Sequence, residues 1–70
     1  MAAKIQESLS IIRLKQLAGR VGLSRSTIYS RVAEGTFPKP ISLGLRSVGW
    51  IEAEVDAWLR ERLNASRNEA

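Results

Sequence analysis

Two short apolar patterns separated by a single glycine constrain this chain more than any other feature of its sequence. The first has the i, i+3, i+4, i+7 spacing of a one-sided helix and consists of Leu14, Leu17, Ala18 and Val21. Gly22 would end this helix, and Ser24 is a favourable N-cap for a second helix that stops near Glu34, before Gly35. Two short helices joined by so tight a turn predict a helix-turn-helix.

The geometry of this motif depends on three residues. Ala18 is small enough to stand where the two helices cross, and Gly22 can take the positive φ that the turn requires. Ile28 is a β-branched residue that would anchor the second helix. The second helix is therefore expected to lie against the first, with its opposite face free to enter a DNA groove.

Length and composition limit the chain to one small domain. A chain of 70 residues buries only about 60% of the surface that it exposes when unfolded. Because the sequence contains neither cysteine nor histidine, we expect no disulfide and no zinc site. No glycine-rich phosphate loop occurs either, and no cofactor is expected. Long apolar segments and a secretory pattern are absent too, so we expect a cytoplasmic protein with no membrane partner.

The net charge of +4 is unevenly distributed. Residues 1–50 contain eight basic and two acidic residues, whereas residues 51–70 contain three basic and five acidic ones. The positive charge therefore coincides with the predicted helix-turn-helix. A basic domain is by itself weak evidence for a nucleic-acid partner, but this location of the charge strengthens it.

The segments around the motif have simpler patterns. Residues 1–10 lack sustained periodicity and are predicted to be a mobile arm, with one helical turn through Ile5 and Leu9 as the alternative. The apolar pair at residues 11–12 forms either a brief strand or the approach to the first helix. Two prolines make residues 36–40 a rigid, non-helical connector.

Two short β-prone runs follow at residues 41–43 and 47–50 and predict a two-stranded hairpin, the wing of a winged helix-turn-helix. A final amphipathic helix, with Arg60 and Arg62 in its last turn, is marked by the stripe Ile51, Val55, Trp58, Leu59 and Leu63. Residues 64–70 are predicted to be a frayed polar tail. The predicted fold class is mainly α with a small β-hairpin, in one domain at residues 11–63.

The second helix of the motif carries the first candidates for DNA binding. At about 100° per residue, Ile28 and Val32 face inward. The opposite face and its flanks are small and polar, and comprise Ser24, Ser26, Thr27, Tyr29, Ser30 and Ala33. Small hydroxyl side chains allow close approach and can contact base edges or phosphates, although an ordinary solvated face has the same pattern. Tyr29 would contact the DNA backbone or cover the edge of the core.

Basic side chains supply the other candidates. Arg25 stands at the first helical position and would contact guanine or a phosphate, whereas Arg31 lies nearer the buried side and ranks lower. Arg46, beside Ser47 in the hairpin, would enter a minor groove, grip a phosphate or simply be solvated. Less specific phosphate contacts are expected from Lys15, Arg20 and Lys39.

The remaining aromatic and acidic residues argue for a structural role. Trp50 and Trp58 follow the patterns of a strand and of an apolar helix stripe, so core packing is favoured over base stacking. The carboxylates at 52, 54 and 56 alternate along a helix start and form no catalytic arrangement. Neither an enzyme nor a small-molecule substrate is expected.

An ordered series of motifs resembles one known family. The motifs are Leu23-Ser-Arg-Ser-Thr-Ile-Tyr29, Gly35-Thr-Phe-Pro-Lys-Pro-Ile41, Leu43-Gly44, Arg46-Ser-Val-Gly-Trp50 and Glu54-Val-Asp-Ala-Trp-Leu59. Together they look like the AlpA family of phage and genomic-island regulators, over about residues 11–63. The resemblance implies a winged helix-turn-helix related to MerR-like and excisionase domains, with its recognition helix at residues 24–34 and its wing at residues 43–48.

The resemblance also implies a function. The chain would be a DNA-binding transcriptional regulator of a prophage or integrated island, located at the bacterial nucleoid. It would control integrase expression or act as an excisionase, bound to double-stranded promoter or attachment-site DNA with integrase or another copy of itself as protein partners. The alternative is a protein-interaction adaptor that inhibits or recruits a response regulator or a recombinase.

Two residues depart from the expected pattern. Arg31 stands where many simple helix-turn-helix proteins have an apolar residue, and the packing role passes to Val32. Their base contacts therefore cannot be transferred directly to this chain. Leu45 places an apolar side chain at the wing tip, where a small or polar one is expected, and would insert at a base step or contact a protein.

Overall fold

Six secondary-structure elements form the part of the chain that the computed structural model describes, residues 9–69. In chain order they are β1 (Ile11–Ile12), α1 (Leu14–Val21), α2 (Arg25–Glu34), β2 (Ile41–Gly44), β3 (Ser47–Ile51) and α3 (Glu52–Glu69). Three helices and a small antiparallel sheet confirm the predicted winged helix-turn-helix class. The predicted N-terminal arm, except for its last two residues, lies outside the described residues.

The turn between α1 and α2 has the local chemistry that its sequence predicts. Gly22 adopts φ +72°, and its N–H donates to the carbonyl oxygen of Ala18 at 2.9 Å. The side-chain oxygen of Ser24 caps α2 by accepting a hydrogen bond from the N–H of Thr27 at 3.2 Å. Gly35 ends α2 at φ +82°. Both ends of α2 therefore lie at residues that favour helix ends, a serine as N-cap and a glycine with positive φ as C-cap.

The core draws side chains from most of the elements. Residues with at most 5% of their surface exposed are Ile12, Leu17, Ile28, Phe37, Trp50 and Val55. Burial of one large apolar side chain contributes about 1.5–3 kcal/mol to folding. Ile28 thus anchors α2, as predicted, while Ala18, Leu23 and Val32 pack against this cluster from its edge. The orientation of α2 is consequently set by the inward face of the helix.

Both tryptophans fix the connector between α2 and β2, which confirms their predicted packing role. The Nε1–H of Trp50 donates to the carbonyl oxygen of Pro38 at 2.9 Å, and that of Trp58 donates to the carbonyl oxygen of Thr36 at 2.7 Å. The ring of Phe37 lies edge-on to Trp58, with centroids 4.7 Å apart. The connector therefore holds the hairpin in a defined position relative to α2 and α3.

The hairpin is part of a three-stranded sheet in the order β1-β3-β2. Ile12 pairs with Trp50 and Ile41 pairs with Gly49, and both ladders are antiparallel. The strand alternative for residues 11–12 is thus confirmed. Pairing with β1 gives β3 a second neighbour, so the wing is built on the central strand of the sheet.

The last helix, α3, is longer than its apolar pattern predicts. It runs from Glu52 to Glu69, so the prediction of a frayed tail from residue 64 is wrong, as is the placement of Arg60 and Arg62 in the last turn. Apolar periodicity ends at Leu63, but the following residues contain no glycine or proline that would stop the helix. None of the helices within residues 9–69 is long and apolar enough to span a bilayer.

Candidate nucleic-acid interface

The outward face of α2 is polar and built from small side chains. Ile28 is fully buried beneath the helix, whereas Ser26, Ser30 and Ala33 are exposed and Thr27 is half-buried. The predicted inward and outward faces are therefore confirmed. A narrow face bearing hydroxyl groups can approach a duplex closely and exchange hydrogen bonds with it. Contact of these residues with DNA remains a prediction.

Hydroxyl groups gather at the N-terminus of α2. The hydroxyl of Ser24 donates to Oγ1 of Thr27 at 2.9 Å and lies 3.5 Å from Oγ of Ser26. Arg25 is exposed as the first helical residue, and the first turn contains no acidic residue. The positive end of a helix, combined with hydroxyls and a cation, favours anions such as phosphate. The structure thus brings four predicted site residues together within one turn.

A shallow groove of about 500 Å³ follows the flank of α2 and is lined by Ser26, Thr27, Ser30, Arg31 and Glu34. Arg31 is half-buried, as its position on the helix predicts. Glu34 is a residue that the sequence analysis missed, although its place two turns after Thr27 puts it on the same flank. A carboxylate accepts hydrogen bonds from base amino groups and repels phosphates, so a contact of Glu34 with a base is a prediction that this groove adds.

Tyr29 connects α2 to the hairpin. Its ring centroid lies 6.2 Å from that of Trp50, with the ring planes inclined by 57°, and 42% of the residue remains exposed. Of the two predicted roles, packing at the edge of the core is confirmed. The exposed part of the ring lies on the same helix as the hydroxyl face, and its contact with a DNA backbone stays a prediction.

The hairpin turn presents a cation and an apolar side chain side by side. Arg46 is exposed and adopts φ +58°, the one positive φ at a non-glycine position among residues 9–69. Leu45 precedes it and is 93% exposed. Ser47 is half-buried at the start of β3. The predicted wing is therefore present, with Arg46 and Leu45 at its tip.

The remaining basic candidates fall into two groups. Lys15 on α1 and Lys39 in the connector are exposed. Arg20, in contrast, binds the carboxylates of Glu52 and Asp56 on α3, with its Nη2 at 2.9 Å from Oδ1 of Asp56. The hydrogen bond with Glu52 and the charge of Asp56 raise the pKa of Arg20 above its usual value. Arg20 therefore joins α1 to α3, and its predicted phosphate contact would compete with these two carboxylates.

The polar side chains on α2 and the cation on the wing have the chemistry that recognition of a nucleic acid requires. Hydroxyl groups and one carboxylate can hydrogen-bond base edges, while exposed cations can neutralise phosphates. Across residues 9–69, no group of histidine, cysteine or acidic side chains is placed to hold a metal ion.

Comparison with known proteins agrees with this geometry. Residues 10–63 match the family described as prophage CP4-57 regulatory protein (AlpA). The chain is 43% identical over 63 residues to the DNA-binding transcriptional activator AlpA of Escherichia coli (strain K12), which covers 81% of this chain and 90% of that protein. It is also 42% identical over 52 residues to the uncharacterized protein ORF88 of Enterobacteria phage P4, which covers 74% of this chain and 59% of the phage protein.

Proposed function

This chain belongs to the AlpA family of prophage regulatory proteins, and from that premise we propose that it is a sequence-specific DNA-binding transcriptional regulator. The observation that carries the proposal is the exposed hydroxyl face of α2, which the buried Ile28 holds away from the core. In helix-turn-helix proteins the second helix enters the major groove. The name of the E. coli relative, a DNA-binding transcriptional activator, supports the same function.

On this proposal the N-terminal half of α2 lies over the bases. Arg25 makes a bidentate contact to guanine or binds a phosphate, and Ser26 and Ser30 hydrogen-bond base edges. Ser24 and Thr27, at the N-terminus of the helix, bind a phosphate together with the backbone N–H groups. The hydroxyls that cluster around Ser24 support this assignment because they already lie within hydrogen-bond distance of one another.

Cations on and around α2 would supply affinity without sequence choice. Lys15 and Lys39 contact phosphates, and Arg31 reaches a phosphate beside the groove on α2. Arg46 enters the adjacent minor groove, and Ser47 follows it at the start of β3. Each lost phosphate contact reduces the slope of log affinity against log salt concentration by about 0.9. Tyr29 lies against the sugar-phosphate backbone with the part of its ring that the core leaves exposed.

The regulated DNA would belong to a prophage or an integrated island, so that the chain acts at the nucleoid in the bacterial cytoplasm. The family description and the phage relative support this context. Within it, the chain controls integrase expression or acts as an excisionase at an attachment site, with integrase or a second copy as its protein partner. One module of this size buries only about 600–1,000 Å² on DNA, which favours repeated sites.

The test is selection of sequences from a randomised duplex library, followed by gel-shift titration at about 0.15 M salt. We expect a recovered motif that binds about a thousandfold more tightly than a shuffled duplex of the same composition. Equal affinity for the selected and shuffled duplexes would contradict sequence-specific regulation.

Two arginine variants separate base contact from net charge. Arg25→Ala should weaken binding to the selected duplex roughly ten- to a hundredfold, because a bidentate contact is lost. Arg67→Ala removes the same charge from the last turn of α3, far along the chain from α2, and should leave affinity nearly unchanged. An equal loss of DNA affinity in both variants would show that Arg25 contributes to binding only through the net charge of the chain.

A protein-interaction adaptor is the second candidate function, and the exposed Leu45 is the observation that favours it. Such an adaptor would hold its protein partner at high salt and without DNA, since apolar contacts are not screened as phosphate contacts are. Retention of an integrase on the immobilised chain at about 1 M salt would support this function. Retention that requires duplex DNA would support the regulator instead.

A further inference from the structure

The tip of the wing carries an apolar side chain with almost no contact to the rest of the domain. Leu45 is 93% exposed, whereas each of the other exposed large apolar residues within residues 9–69 is at most 55% exposed. A single exposed leucine is common on protein surfaces and by itself indicates nothing. The way the backbone holds this leucine is the more informative observation.

The turn that presents Leu45 uses unusual backbone conformations on both sides. Gly44 has φ +143° and Arg46 has φ +58°. The strand register shifts from Ser42 opposite Val48 to Gly44 opposite Ser47, so a bulge precedes the tip. Bulges redirect side chains, and Gly44 and Arg46 take the positive φ values that turn the chain around Leu45. The turn therefore presents Leu45 in a fixed direction.

The base of the wing is rigidly attached to the domain. β3 pairs with strands on both sides, and its Trp50 is fully buried and hydrogen-bonded to the connector at Pro38. A hairpin held in this way can press its tip against a partner without folding back. The wing thus presents Leu45 from a base that is packed into the domain.

The charge of the wing selects the kind of partner. Residues 41–51 contain one base, Arg46, and no acidic residue. The minor groove of DNA attracts arginine through its negative potential, and apolar residues such as leucine are the side chains that proteins insert between base steps there. A wedge beside a single cation therefore suits a duplex better than an apolar pocket on a protein.

The length of the wing beyond its contact with α2 is compatible with the same partner. Tyr29 on α2 packs against Trp50, and the extended strand from Trp50 back to Ser47 spans roughly 10 Å, with the turn residues Leu45 and Arg46 beyond it. Neighbouring major and minor grooves are separated by about half of the 34 Å helical repeat, or roughly 17 Å. A wing of this reach can meet the minor groove while α2 lies in the major groove.

We infer that Leu45 is an apolar wedge that enters the minor groove, separates one stacked base step and bends the duplex, with Arg46 binding beside it. This inference rests on the proposed function, since α2 has to bring the wing to the DNA. It assigns the wing a mechanical role that differs from base recognition by α2. Pyrimidine–purine steps such as TA would be preferred under the wing, because they unstack most easily.

The test uses a selected duplex of about 30 base pairs with donor and acceptor dyes at its ends and 2-aminopurine in the TA step under the wing. We expect the wild-type chain to bend this duplex by about 20–90° and to increase the fluorescence of the unstacked 2-aminopurine. Leu45→Ser should lose most of both signals yet still bind, because the cost of unstacking disappears together with the wedge. Leu45→Phe, which keeps a wedge, should retain them.

The matched control is Leu63→Ser, which makes the same substitution at an exposed leucine of α3. It should leave both signals at the wild-type level. The inference is overturned if the wild-type chain binds without bending, or if Leu45→Ser bends the duplex fully. It is also overturned if Leu45→Ser alters only the cooperativity between two adjacent sites, because Leu45 would then contact a second copy of the chain.

Failure of the proposed function gives a different result. If the selected and shuffled duplexes bind equally, sequence-specific regulation fails, and the same two signals are measured on the shuffled duplex with its own TA step. Bending that depends on Leu45 would then support a wedge without sequence preference, and its absence would overturn the wedge as well.

Discussion

The Cγ2 methyl of Ile11 lies directly over Gly49, so that a β-carbon built on the glycine would be 2.5 Å from it. The same β-carbon would be 3.1 Å from Cδ1 of Leu43 on the other neighbouring strand. The missing side chain lets β1 and β2 close over the central strand from both sides. This close approach joins the wing to β1, the strand that leads into α1.

We predict that Gly49→Ala lowers the free energy of unfolding by about 1–3 kcal/mol, because the added carbon must displace the Cγ2 methyl of Ile11 from its place over the strand. The matched control is Gly19→Ala in α1, where nothing lies within 4 Å of the added atom. That substitution should stabilise the domain by roughly 0.5–1 kcal/mol through helix propensity. The free energies of unfolding of both variants are measured by urea denaturation, monitored by far-UV circular dichroism. Equal stabilities of the two variants would contradict the close packing over Gly49.

Ser24 allows the stability of α2 to be separated from DNA binding. Ser24→Ala should lower the free energy of unfolding by about 0.5–2 kcal/mol, because the N–H of Thr27 loses its acceptor. Ser24→Asp keeps the cap and should retain the wild-type stability. It also places a negative charge where we propose a phosphate, so its DNA affinity should fall below that of Ser24→Ala. Thermal unfolding and gel-shift titration measure the two effects, and tighter binding by Ser24→Asp would exclude a phosphate at this end of α2.

Arg20 and Lys15 lie on the same helix but should differ in function. Arg20→Gln breaks the contacts with Glu52 and Asp56 and should lower the melting temperature, while the slope of log DNA affinity against log salt stays the same. Lys15→Gln should leave the melting temperature unchanged and reduce that slope by about 0.9. A reduced slope in Arg20→Gln would show that its guanidinium leaves the carboxylates for DNA.

The raised pKa of Arg20 also fixes the pH dependence of this contact. A group whose pKa is raised by folding contributes stability below its unfolded pKa and loses the contribution only as the pH rises through its folded pKa. Both values lie far above neutrality for arginine. The difference in melting temperature between wild type and Arg20→Gln should therefore be constant from about pH 6 to 9. A difference that disappears within this range would rule out a guanidinium origin.

Glu34 should limit binding to the wrong sequences. Glu34→Gln removes a negative charge from the groove on α2, so affinity for the shuffled duplex should rise by about twofold at physiological salt. The ratio of selected to shuffled affinity should fall. Glu61→Gln removes the same charge from α3 and serves as the control. An unchanged affinity ratio in Glu34→Gln would mean that Glu34 does not face the bases.

Local signals explain why most of the fold could be predicted from the sequence. Gly22, Ser24 and Gly35 determine helix ends through their own backbone preferences, and Ile28 follows from helical periodicity. The same periodicity identified the outward hydroxyl face. These predictions needed no knowledge of distant parts of the chain.

The rest depends on contacts between distant segments. Arg20 meets Glu52 across 32 positions and Asp56 across 36, and no local pattern indicates such a pair. The pairing of β1 with β3 and the close approach over Gly49 are equally non-local. The length of α3 was missed for another reason, because an exposed helix can continue after its apolar stripe ends.

Chemical-shift mapping with the selected duplex tests the central claim most directly. Titration of the isotope-labelled chain should produce its largest backbone amide shifts at Ser26, Ser30 and Arg46, and small shifts along residues 63–68 of α3. Perturbations concentrated on α3, with the amides of Ser26 and Ser30 unmoved, would contradict recognition of DNA by the hydroxyl face of α2.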